Sequence, residues 1–127
     1  MHGKNLFARG VGEAIDPKVM RAVVGSDPAS IRELAAEFLP GARTGIGEVV
    51  EAVAGHAAEA VRAASHKLKG AGALVGARHL VSLCIGLEGA AKAGDWVLIG
   101  ELAGQLDGQM REVEGAIEAF LAEIAEE

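Results

Sequence analysis

The chain of 127 residues contains no tyrosine, one tryptophan and three phenylalanines, too few rings for the stacking platforms of single-strand nucleic-acid binders. Its core must therefore be built from alanine, valine, leucine and isoleucine. The lone cysteine, Cys84, excludes an internal disulfide and fits a reducing compartment; it is expected to pack as a small hydrophobe. No run of about 18 apolar residues is present to span a bilayer. The opening Met1-His2-Gly3-Lys4-Asn5-Leu6-Phe7 also lacks the apolar stretch of a signal peptide, so the reading is a cytoplasmic protein with no membrane contact. Basic residues number 12 against 18 acids, a net charge of −6, which argues against nucleic acid as a partner. There is no alternating strand pattern, no dinucleotide glycine fingerprint and no repeat of solenoid length. A metal-binding bundle using His66, His79, Cys84 and Glu88 is disfavoured, because no glutamate precedes a histidine by three as di-iron bundles require.

What remains is helical periodicity. Asp16-Pro17 reads as an N-cap followed by proline at the first helical position, and a short helix follows to Gly25. Ser26-Asp27-Pro28 repeats the signal and opens a long helix to Gly55, with a kink or short break expected near Pro40 and Gly55 as its terminal glycine. A third segment begins at His56 or Ala57 and runs to about Val75, and Gly76 makes the next turn. Leu80, Leu83, Cys84, Leu87 and Ala91 stay in phase to Gly94. Asp95 then caps a last helix carrying Leu98, Leu102, Leu106, Met110, Val113, Ile117, Phe120 and Ile124. Four long amphipathic helices with short loops predict an all-α fold: an antiparallel up-down four-helix bundle with one or two short N-terminal helices. The chain reads as one domain, 1–127, in which 1–15 form a loosely held arm or short helix and 16–127 the short helix plus the bundle.

One stretch stands out, Ser65-His66-Lys67-Leu68-Lys69-Gly70-Ala71-Gly72. The apolar stripe of its helix passes through Val61, Leu68 and Val75, and His66, about 200° from Leu68 at roughly 100° per residue, faces away from it. Lys69 and Gly70, three and four residues on, share the face of His66. Lys69 leans toward the ring, and Gly70 leaves space over it. Two mid-helix glycines, Gly70 and Gly72, each cost about 1 kcal/mol relative to alanine, which suggests that clearance matters here. Between Arg62 and Lys92 there are five basic residues and one acid, Glu88, against seven and seventeen elsewhere. Glu88 and His66 lie twelve and ten positions from Gly76, at nearly equal height across an antiparallel hairpin. Glu88 is therefore the candidate to hold one ring nitrogen as an N–H donor. Lys92, four residues further, adds positive charge on the same face. His56 and His79 lack this pattern and read as solvent or cap residues.

His66-Lys67-Leu68-Lys69-Gly70 with Gly76-Ala77, continued through Leu80, Leu83-Cys84, Leu87-Glu88 and Ala93-Gly94-Asp95, resembles the histidine-containing phosphotransfer (HPt) domain family. Departures are Ala71, where the family often has serine, and Leu74, where it often has a polar residue. The resemblance implies that Nε2 of His66 takes a phosphoryl group from a receiver-domain aspartyl-phosphate and passes it to another receiver. Lys69, Gly70, Glu88 and Lys92 would support that histidine. It further implies no cofactor of the chain's own, Mg²⁺ being supplied by the receiver, and partners that are response-regulator receiver domains, a hybrid histidine kinase among them. The chain would be a monomeric carrier rather than an enzyme, without a nucleotide-binding or kinase domain, and Leu74 and Val75 would form its docking patch. The alternatives are the phosphoacceptor domain of a chemotaxis-type histidine kinase and a helical adaptor bundle without chemistry.

Overall fold

The computed structural model describes residues 14–125; residues 1–13, which hold most of the expected N-terminal arm, lie outside the described residues. Among the described residues six helices follow one another: α1 (Pro17–Val24), α2 (Pro28–Ala54), α3 (Ala58–Leu74), α4 (Arg78–Ala93), α5 (Trp96–Ala103) and α6 (Leu106–Ala125). Among the described residues no strand occurs, and no helix is long and apolar enough to cross a membrane. The carboxylates that start α1, α2 and α5 are those the sequence indicates. Asp16 accepts from Lys18 N, Asp27 from Ser30 N and Asp95 from Leu98 N, each satisfying an N–H that the first turn leaves without a partner.

The bundle closes as a ring in which α3 packs against α2 and α4, while α5 and α6 fill the fourth position between α4 and α2. The three-residue connections between α2 and α3 and between α3 and α4 make these helices antiparallel neighbours. The register shows it: His66 meets Glu88, whereas further along α3 an added Cβ at Gly72 would touch Leu80 and Val81. Ile31, Phe38, Val61, Leu68, Leu87 and Ile117 are among the residues that build the core. Cys84 lies fully inside it, where burial, aided by the charge of Glu88, pushes its thiol up to about 12 and makes it inert as a nucleophile.

Three expectations about the helices change. Of the kink or short break expected near Pro40, the break is absent: α2 is continuous from Pro28 to Ala54. Pro40 lies on the exposed face, as does Ala36, so the carbonyl left without its donor can turn to water. Gly55 is not the left-handed terminal residue of α2: it is right-handed, and His56 takes that conformation at φ 53°. His56 N donates to Val53 O and Ala57 N to Ala52 O, the paired bonds of a Schellman end. The imidazole stacks on Trp96 with ring centroids 3.7 Å apart, tying this turn to the start of α5. The last helix is two helices. The chain turns at Gly104-Gln105, and Gln105 Nε2 donates to Glu101 O, satisfying a terminal carbonyl of α5.

Arg43 joins α2 to α6 by donating through Nε and Nη2 to Glu114 (3.0 and 2.8 Å) and through Nη1 to Asp107 (2.7 Å). These bonds hold both carboxyl groups below their ordinary values of 4.5 and 3.8. A carboxyl depressed by folding contributes stability that is complete above its unfolded value and is lost as pH falls through the folded one. The thermal midpoint is therefore expected to fall steeply only below about pH 4.5, and less steeply in Glu114→Gln. Melting curves between pH 7 and 3 test this, and an identical acid profile for the variant would contradict it.

Candidate functional site

The middle of α3 turns His66 to solvent because Ser65 and Leu68 face the core and fix the helix's rotation. The imidazole side chain is 64% exposed. Its Nδ1 lies 2.6 Å from Glu88 Oε1, and the other carboxylate oxygen, Oε2, accepts from Lys69 Nζ at 2.7 Å. Glu88 is largely covered, with 18% of its side chain exposed. The hydrogen bond from Lys69, then that from His66, keeps its carboxyl below 4.5 against the opposing effect of desolvation. An ionised carboxylate only accepts, so Nδ1 is the donor and carries the proton. Nε2 then holds the free lone pair at the exposed edge of the ring. The arrangement is a nucleophilic nitrogen whose tautomer and ring angle are set by a carboxylate, itself anchored by an ammonium.

Lys69 therefore stands where sequence reasoning places it on the helix but makes its ion pair with Glu88. That partner belongs to another helix, and spacing within α3 does not reveal it. Gly70 is exposed and a Cβ there would meet nothing within 4 Å, so nothing inside the fold demands glycine. Gly72 differs: its added Cβ would lie 3.3 Å from Val81 Cγ2 and 3.5 Å from Leu80 Cδ2, so it serves close packing of α3 on α4 rather than clearance over His66. Gly70→Ala is expected to raise stability by about 0.5 to 1 kcal/mol through helix propensity. The same variant should slow any reaction that needs close approach to His66 by about tenfold, since a misfit near 1 Å is costly at a reacting centre. Melting and transfer rates measured on the same preparation check both signs.

Lys92 lies one turn beyond Glu88 and lines a groove of about 310 Å³ with Ala58, Glu59, Arg62 and Ala91. It adjoins the His66–Glu88 pair without bonding to it. Of the two residues expected to offer a docking patch, Leu74 is 44% exposed, whereas Val75 is fully buried. The N-terminal segment covers the α3–α4 turn there, Asp16 N donating to Val75 O at 3.0 Å. His79 is exposed on α4, away from the pair. Among the described residues, no group of three or more histidine, cysteine or acidic side chains could hold a metal ion.

A family model described as Hpt domain matches residues 33–126 of the chain. No curated protein and no solved structure gave a match.

Proposed function

The chain belongs to the Hpt domain family, and from that premise we propose that it is a phosphoryl carrier. Nε2 of His66 takes a phosphoryl group from the aspartyl-phosphate of one receiver domain and hands it to the aspartate of another. The observation that carries this reading is the hydrogen bond from His66 Nδ1 to Glu88 on an otherwise exposed ring. In the forward step the Nε2 lone pair forms the N–P bond as the P–O bond to the aspartyl carboxyl breaks. The aspartate leaves as a carboxylate, and the ring, still protonated at Nδ1, becomes cationic against Glu88. No proton needs to move. Lys69 keeps a second cation beside the carboxylate, and Gly70 leaves room for the incoming acyl phosphate.

Such a transfer is mainly positioning and charge neutralisation. The Mg²⁺ and the acidic pocket would belong to the receiver, and this chain supplies an oriented imidazole. The test is incubation of the chain with a panel of receiver domains carrying labelled aspartyl-phosphate. The reading expects acid-labile, base-stable label on the chain from at least one receiver. Labelling only by a histidine-kinase catalytic domain with ATP would point instead to a kinase phosphoacceptor domain, and failure of both would leave a helical adaptor.

A further inference from the structure

The antiparallel register that sets His66 beside Glu88 sets Arg62 beside Lys92 one turn further toward the α2–α3 turn, since each pair sums to the same residue total. These two cations stand on opposite walls of the 310 Å³ groove that adjoins the site. Lys92 is exposed, and among the described residues no ion pair to it is found. Arg62 is occupied. Its Nε lies 3.1 and 3.0 Å from the two carboxylate oxygens of Glu59, and its Nη2 lies 2.7 Å from Oε1. Glu59 comes from the first turn of the same helix and is 78% exposed, against 43% for the arginine. An ion pair this open to water holds its partners weakly, so a second carboxylate brought in from outside can displace Glu59 at little cost. With Glu59 displaced, the groove presents two positive charges one turn from the nucleophilic nitrogen, and a guanidinium binds carboxylates in a two-pronged geometry.

We propose that Arg62 and Lys92 form a cradle for an acidic side chain on the surface of the docking receiver, and that Glu59 occupies the Arg62 half of it in the free protein. This rests on the reading of His66 as the phosphoryl acceptor. Glu59 then acts as an internal competitor that weakens encounter with receivers lacking a suitably placed carboxylate, a specificity device built on repulsion as well as attraction.

The experiment uses the phosphorylated receiver domain that labels the wild-type chain fastest. Transfer is followed as a function of receiver concentration at low and high salt for wild type, Glu59→Gln and the double variant Arg62→Gln with Lys92→Gln. Charges at the rim of an interface act mainly on association and its salt dependence. The double variant is expected to lose about tenfold in kcat/KM at low salt through KM, with the rate at saturating receiver retained and the salt dependence flattened. Glu59→Gln is expected to gain about threefold in kcat/KM at low salt. A double variant equal to wild type, a loss confined to the saturated rate, or a Glu59→Gln variant equal to or slower than wild type would each overturn the cradle while leaving the carrier function intact. Absence of label on the wild-type chain from every receiver would overturn both.

Discussion

Replacing His66 with glutamine abolishes label uptake from every receiver that labels the wild-type chain, and it leaves the thermal midpoint within about 2 °C of wild type, as for a surface substitution. The two halves of this expected result come from one geometry. The imidazole is 64% exposed and contributes a single hydrogen bond, to a carboxylate that Lys69 also holds, so its loss removes little packing and does not strand Glu88. A carboxamide offers no comparable nucleophilic nitrogen, so the chemistry goes entirely. Only two other histidines lie among the described residues. His56 is stacked on Trp96 in a turn, and His79 lies on α4 without a carboxylate partner. Label retained by the variant above a few per cent of wild type would place the phosphoryl group elsewhere and remove His66 from the account.

The largest loss of stability is expected at Gly76, not at any residue of the site. Gly76 has φ +65°, and an added Cβ would lie 2.5 Å from Asp16 Cβ and 3.0 Å from Asp16 N. The adjacent residue, Val75, accepts the Asp16 N–H, so the N-terminal segment is pinned against this turn and cannot simply lift away. Left-handed strain costs an ordinary residue about 1 to 2 kcal/mol, and forced displacement in a packed region about as much again. Gly76→Ala is thus expected to lose about 3 kcal/mol, which for a domain of this size lowers the midpoint by about 10 °C. Gly70, exposed and with open space around an added Cβ, provides the internal control, since alanine there should stabilise. A Gly76→Ala protein melting within about 3 °C of wild type would show that the turn is held by something other than its close approach to Asp16.

Much of this is legible in the sequence. The three aspartate caps, the turn at Gly76 and the equal heights of His66 and Glu88 follow from local chemistry and from counting residues across a hairpin, and all of them are present in the fold. What escaped depends on contacts between elements. Pro40 is tolerated because its face of α2 is solvated, which periodicity weighs less than the missing hydrogen bond. The turn at Gly104-Gln105 is invisible because Leu98, Leu102, Leu106 and Met110 keep a helical spacing straight across it. His56 takes a left-handed position usually given to glycine because its ring gains Trp96, 40 residues away. Val75 is in phase with the buried Val61 and Leu68, which argues against its place in a docking patch, and the N-terminal segment held to its carbonyl by Asp16 N completes its burial. The helix face places Lys69 near His66, but its choice of Glu88 over open solvent is a tertiary fact.

If Glu88 fixes the proton on Nδ1 of His66, Nε2 is the atom presented to phosphorus. Long-range proton–nitrogen correlation NMR on the histidine-labelled chain, before and after phosphorylation by a receiver, tests it most directly. In the free protein near neutral pH, His66 is expected to carry its proton on Nδ1 whenever it is neutral, and in the phosphorylated protein phosphorus is expected to couple to Nε2 while Nδ1 keeps its proton. Phosphorus bonded to Nδ1, or a free ring protonated at Nε2 alone, would contradict it.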